Sequence, residues 1–594
     1  MAVAIEVGET IPPLTAHAVS VSLPTWRANV GYEEGERWVV DAMKTGYPRF
    51  FIHKSIARLA ETIVADHALP QQTAMLFPSH TNALQCQEFL FRKAQDLSLH
   101  DVQVIDFVLC PDYEHKLADR KMPPKFSAVL YPQEKFSVAK QFWQHTGCGL
   151  SSRRAEYCHQ LYDEKVMVNK AKAEGMCRSI KGPKRYQKKM SIDQSSDTNG
   201  HDVNETSDPA DTQDSTQFVE ERFGRHLGMS LAPNAKLAVK RRIAGNLTAD
   251  VELSEAIILA KNDETTRLMT GFSEDDVYLF PNGMNAIYNT HRNMRIARGE
   301  IKSISFGFPY VDSLKILEKF GPGCLFYGFG ESEDLDNLEK RLADGERYLA
   351  LFCEFPGNPL LKCPDLERIH RLADQYDFMV VVDETIGNFL NVDVLQFADV
   401  VVSSLTKIFS GDCNVMGGSA ILNPKGKNYD LLKKTWDTEY EDNVWSEDAI
   451  VLERNSRDFV SRIERINGNA EAVCDLLREH PKIKQVNYPK YSKTRQYYDR
   501  CRLPKGGYGG LLSATFYATE DAIAFYDHLD TAKGPSLGTN FTLSSPYVIL
   551  AHYGELDWAA SLGVDSNLVR FSIGLEEKAE LVETFRRALA AIAA

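Results

Sequence analysis

Over the second half of the chain, short apolar runs alternate with amphipathic stretches. DDVYLFP precedes GMNAIYNTHRNMRIARG, YLALFCEFP precedes CPDLERIHRLADQYD, and FMVVVDE precedes LQFADVVVSSL. Val/Ile/Leu/Phe runs separated by helical patterns of about ten to fifteen residues predict βαβ units on a buried, mostly parallel sheet, an α/β fold. Beyond residue 455 the pattern changes. A long helical stretch (VSRIERINGNAEAVCDLLREHP) leads to YGGLLSATFYA, a turn-rich stretch, LVRFSIG and a last helix, which predicts a smaller α+β domain.

Residues 186–216 are rich in Ser, Asp, Thr and Asn and hold almost nothing able to enter a core, so they are expected to be a disordered linker. The expected division is an N-terminal extension of helices and loops (1–185), the linker, a large domain (217–455) and a small domain (456–594). In the extension, LPTWRANVGYEEGERWVVDAM and FFIHKSIARLAETI read as loops and amphipathic helices able to pack on a neighbour, at an oligomer interface or over an active-site mouth. TGYPRFFIHKSIARLAETI followed by AMLFPSHTNALQCQEFL parallels ERFGRHLG followed by VYLFPNGMNAIYNTHRNM. A diverged partial repeat and coincidence both stay open.

Composition narrows the function. The 594 residues are 43% hydrophobic and 25% charged, as in ordinary soluble proteins. No run of eighteen apolar residues suggests a membrane span, and MAVAIEVGETIPPL lacks the pattern of a secretory signal. Eleven cysteines without a C-x-x-C pair argue against a zinc site or a disulfide framework and for a reducing, cytoplasmic setting. A net charge of −14 argues against nucleic acid as a partner. The basic stretch Lys170–Lys189 reads as a solvated linker face, with a nuclear signal as the alternative.

The chemistry concentrates in VVSSLTKIFSGDCNVMGGSAI. An apolar strand delivers Ser404, Thr406 and Lys407 to its end, before a turn through Gly411, Gly417 and Gly418. Desolvation there favours the free amine that forms Schiff bases. Alone, such a lysine reads better as one snorkelling from a sheet edge. Its context reverses that. FMVVVDE ends a neighbouring strand on Asp383, a carboxylate able to pair with a pyridine nitrogen. YLFPNGMNAIYN runs strand, turn, helix, with Gly283 and Met284 at a helix start suited to a phosphate.

In this order and spacing the chain resembles the Cys/Met-metabolism family of fold-type I, pyridoxal 5′-phosphate (PLP) dependent enzymes, with an aspartate-aminotransferase-like large domain. The matching stretches are PNGMNAIY, EFPGNPLL, VVVDET, SSLTKIFSGDCNVMGGSAI, GPSLGTNF and LVRFSIGLEE, spread over residues 216–594. The resemblance implies that Lys407 is the Schiff-base lysine and proton shuttle and that Asp383 holds the pyridine nitrogen. It implies phosphate contacts from Gly283, Met284, Ser404 and Thr406, and a ring-stacking role for Tyr310, with Phe308 as rival. Asn358 would reach the cofactor's ring oxygen, and Arg570 would clamp the substrate α-carboxylate through its bidentate fork.

Two departures qualify it. The family's Tyr-x-Arg, donated across a dimer interface to the phosphate, stands here as Glu220-Glu221-Arg222-Phe223, which keeps the arginine but not the tyrosine. Tyr47-Pro48-Arg49 near the N-terminus keeps the motif better, and Arg222 and Tyr47/Arg49 both stay open as the phosphate's partner. After SLG, where many γ-specific members carry Glu, this chain has Phe541. The long N-terminal region is similar to that of the fungal-type cystathionine γ-synthases. This implies γ-replacement on O-acetyl- or O-succinyl-L-homoserine by cysteine, in a homodimer or homotetramer acting on small amino-acid substrates. Another nucleophile (sulfide, carbon or amine), a cystathionine β-lyase and a non-enzymatic binding protein are the alternatives.

Overall fold

The computed structural model describes residues 5–111, 123–180, 229–259, 267, 269 and 271–592. The linker 186–216, Arg222 and the end of the basic stretch lie outside them.

Three sheets organise the described residues. The first, in order β1-β3-β2-β4, joins β1 (Gln72–Phe77), β2 (Gln103–Leu109), β3 (Phe126–Pro132) and β4 (Met167–Asn169), all antiparallel. The N-terminal extension, expected as helices and loops, is therefore a sheet-and-helix module. Its strands find their partners only across long connections, β1 with β3 and β2 with β3 and β4, and such pairing leaves no local signal in the chain.

The second sheet, in order β5-β11-β10-β9-β8-β6-β7, holds β5 (Val277–Phe280), β6 (Ser303–Phe306), β7 (Cys324–Tyr327), β8 (Ala350–Glu354), β9 (Met379–Asp383), β10 (Val400–Ser404) and β11 (Gly418–Leu422). From β10 to β7 every pairing is parallel, and β11 and β5 close the edge antiparallel. Val380, Val381, Val382, Val400, Val401 and Val402 are all nearly inaccessible, as strands covered on both faces require. The third sheet, β12-β13-β16-β15-β14, is formed by β12 (Ile483–Asn487), β13 (Leu511–Phe516), β14 (Ala532–Lys533), β15 (Leu543–Ser545) and β16 (Leu568–Ser572). The helices Phe459–Arg478 and Lys578–Ala590 pack together beside it.

Parallel register brings strand ends together: Glu354 of β8 lies opposite Asp383 of β9, and Asp383 opposite Val402 of β10. In an open α/β sheet, this carboxyl edge is where ligands bind. Directly behind it Arg267 pairs with Glu384 at 2.9 Å, both side chains about 1% exposed. Arg267→Met would strand that carboxylate in a dry interior. We expect a loss of about 3–5 kcal/mol in denaturant unfolding, much of it restored by adding Glu384→Gln. An unchanged midpoint in the single variant would refute the role given to the pair.

No helix among the described residues is long and apolar enough to cross a membrane. The described cysteines are all free thiols.

Candidate active site

At the carboxyl edge of the second sheet a cavity opens between the large domain, the small domain and the N-terminal segment. Gly283, Met284, Tyr310, Asn358, Asp383, Ser404, Thr406, Lys407 and Arg570 all line it.

Lys407 follows β10 by three residues and is 7% exposed. Its Nζ donates to the hydroxyls of Tyr47 and Ser536, each at 2.9 Å, and has no carboxylate partner among the described residues. Burial lowers the ammonium from 10.5 to about 7; the Cys413 thiol opposes this, and the charges of Arg570 and Arg49 add to it. Gly538 presses against this lysine from the small domain. A Cβ there would lie 2.4 Å from the Ile408 nitrogen, and its φ of +69° is one that L side chains rarely adopt.

The opposite wall suits an anion. Asn282 caps the helix Gly283–Arg298 by accepting from the Asn285 N–H at 3.0 Å, leaving the N–H groups of Gly283 and Met284 without intrahelical acceptors. Gly283 approaches Ser404 so closely that a Cβ would meet the serine Cβ at 2.7 Å. Thr406 lines the cavity, but its hydroxyl is engaged with the backbone of Gly417 at 3.1 and 3.2 Å. Arg49 is 8% exposed, forms an ion pair with Asp312 and lies 4.7 Å from the Tyr310 ring centroid. Its Nε and Nη1, closed off from solvent, find no hydrogen-bond partner among the described residues.

Two carboxyls stand at the strand ends. Asp383 accepts from the Thr385 N–H at 2.9 Å, and burial raises its pKa. Glu354 accepts from the backbone N–H groups of Tyr310 (2.5 Å) and Asn358 (3.1 Å), and burial pushes it up to about 8. Arg570 donates to Asn358 Oδ1 at 3.1 Å and to the Ser536 carbonyl at 2.6 Å, and sits 4.4 Å from the Tyr547 ring centroid. Asn358 in turn donates to the Tyr547 hydroxyl at 2.9 Å.

Sequence reasoning had not singled out Glu354, Ser536 or Tyr547. Glu354 was within reach as the polar residue closing an apolar run; Ser536 and Tyr547 lie in turn-rich stretches with no periodic signal. Of the two candidates for ring stacking, Tyr310 lines the cavity, whereas Phe308 packs outside it against His552 and Trp558. Phe541 is half-buried and does not line it. Arg222 lies outside the described residues, while Tyr47 and Arg49 are in the cavity wall.

Residues 267–590 match the family described as Cys/Met metabolism PLP-dependent enzyme, and residues 55–151 match the fungal trans-sulfuration enzyme N-terminal domain. The chain is 54% identical to the cystathionine gamma-synthase of Neurospora crassa, covering 98% of each. The chain belongs to the Cys/Met-metabolism family of PLP-dependent enzymes. Other relatives are the cystathionine gamma-synthase of Saccharomyces cerevisiae, 40% identical over 98% of each chain, and the alanine racemase ungC of Aspergillus violaceofuscus. The latter is 32% identical over 99% of this chain and 97% of its own.

The family's cofactor suits this cavity. A buried lysine whose amine burial brings close to neutrality, an open helix start beside a glycine cradle, unsatisfied guanidinium donors and a buried carboxyl are what an aldehyde, a phosphate and a pyridine nitrogen require. The pKa of Lys407 has a measurable consequence. The amine is charged below about 7 and free above it, so PLP capture by cofactor-stripped protein should accelerate as pH rises through about 7 and then level. A capture rate still climbing toward pH 10 would show that the lysine is not desolvated.

Proposed function

We propose that this enzyme is a cystathionine γ-synthase, replacing the acyl group of O-acetyl- or O-succinyl-L-homoserine with the sulfur of cysteine. The relatives named so at 54% and 40% identity support this reading. The observation that carries it is a buried lysine held by two hydroxyls in one cavity with an arginine whose hydrogen-bond partners among the described residues are a neutral amide and a backbone carbonyl.

Bound PLP would supply the aldehyde that takes up an amino group and the ring that accepts electrons released at the substrate Cα. The phosphate would rest on Gly283 and Met284 beside Ser404 and Arg49, with Asp383 at the pyridine nitrogen. Arg570, held by Asn358 and the Ser536 carbonyl, would receive the substrate carboxylate and fix which Cα bond faces Lys407. Lys407, with a pKa near neutrality, can take a proton at Nζ and return it. The hydroxyls of Tyr47 and Ser536 keep that nitrogen in place between transfers. Glu354 holds the backbone of Tyr310 and Asn358, so the two sides of the cavity keep their spacing.

The family resemblance further supports a homo-oligomer of two or four copies, and the free thiols suit the cytoplasm. Incubation with each O-acylhomoserine and cysteine should give cystathionine by mass detection. Product only with sulfide or a carbon nucleophile, or breakdown of added cystathionine without synthesis, would overturn the assignment.

A further inference from the structure

The segment carrying Tyr47 and Arg49 is tied at both ends to its own chain. Upstream it runs along the small domain: Ser20 Oγ donates to the Pro535 carbonyl at 2.6 Å and the Leu23 N–H to the Lys533 carbonyl at 2.9 Å. The Trp26 N–H donates to Asp527 at 2.7 Å. The Val19 N–H reaches the carbonyl of Cys413, in the loop after Lys407, at 2.9 Å. Thr45 then donates to the Ala18 carbonyl, and Tyr47 enters the cavity two residues later.

Downstream the N-terminal module is bolted to the large domain. Arg154 donates to the carbonyls of Pro78 and Lys125 within the module, each at 2.7 Å, and reaches that of Asn443. Arg153 bonds Asn414 and Asp448, Ser79 and Thr81 both donate to Glu441 at 2.6 Å, and Asn282 donates to the Gly147 carbonyl at 2.8 Å. Arg49 itself is held from both sides. Asp312 of the large domain pairs with it and accepts at 2.6 Å from His145 of the N-terminal module, a histidine that burial keeps neutral by lowering it to about 3.

We propose that one chain builds a whole active site: Tyr47 and Arg49 reach Lys407 and the anion wall in cis, and no second copy contributes a side chain to the cavity. The inference rests on the assignment of that cavity to the cofactor. It separates this chain from the shared sites implied by the family resemblance, because Tyr47 and Arg49 line the cavity on a segment bonded to the same chain on both sides. Association of copies then becomes a matter of stability rather than of chemistry.

Because the module joins the rest of the chain through residues 181–228, two chains exchanging modules would fill the same cavity, and the test must tell exchange from cis delivery. Arg49→Met and Lys407→Ala chains, carrying different tags, are co-expressed and hybrids are isolated on both tags. Borohydride trapping and mass spectrometry of the Lys407 peptide then report bound cofactor alongside turnover. Tyr47→Ala replaces Arg49→Met should the latter not fold.

In cis, the hybrid holds no intact site, and trapped pyridoxyl and turnover stay at the level of Arg49→Met alone. Recovery of about half the wild-type turnover, with wild-type trapping on the Arg49→Met chain, would overturn the proposal. Full activity of a wild-type chain that sediments as a monomer would support it without hybrids. Absence of trapped pyridoxyl in the wild type would instead refute the cofactor assignment, before any chains are mixed.

Discussion

Lys407→Ala should lose turnover by at least about 1000-fold together with the yellow absorbance of the cofactor-bound protein. Among the described residues Lys407 is the one lysine lining the cavity, and no other amine there can take its place. The loss should not come from unfolding. The lysine makes no ion pair among the described residues, and burial holds it far below its ordinary pKa. In cofactor-free protein that shift is a burden on the fold. The unfolded chain binds the proton up to about 10.5 and the folded chain only up to about 7, so stability contributed by this group falls as pH drops from the upper value to the lower. Alanine removes the burden, and the stripped variant should be at least as stable as the stripped wild type between those values. An active, yellow alanine variant would refute the chemistry given to Lys407.

Arg570→Leu should spare the absorbance and damage substrate use. The guanidinium is 5% exposed, lies over Tyr547 and spends its donors on a neutral amide and a carbonyl. A buried cation without an anion is costly, and that cost is recovered when a carboxylate arrives. Removing it should lower kcat/KM by about 100-fold or more (on the order of 3 kcal/mol), chiefly through KM. Arg570→Lys should recover little, because a point charge cannot reproduce the planar fork. Steady-state kinetics with either O-acylhomoserine decides this; an unchanged KM would place the carboxylate elsewhere.

The parts of this site that were legible share one cause. Strands covered on both faces are written as unbroken apolar runs, so the polar residues that follow each stand out: Asp383 directly after MVVV, Ser404 and Lys407 within five residues after VVV. The helix start at Gly283 was readable because a turn and a helix pattern meet there. What was not legible joins residues far apart in the chain. His145 and Asp312 are 167 positions apart, and nothing local in either segment points to the other or to Arg49. Tyr547 and Ser536 come from turns whose course depends on the small domain's sheet. The sequence could name Tyr47-Pro48-Arg49 as a motif, but only the packing of the segment against residues 526–535 puts it at the cavity. The N-terminal sheet escaped notice for the same reason, since antiparallel partners such as β1 and β3 lie far apart along the chain.

Placement of Tyr47 and Arg49 on the same polypeptide as Lys407 also bears on inheritance. Where subunits share sites, a defective copy spoils the sites of the sound copies it assembles with, and one bad allele can silence most of the pool. With each site contained in its own chain, a cell carrying one sound and one defective allele should keep activity in proportion to the sound gene product, and loss-of-function alleles should behave as recessive.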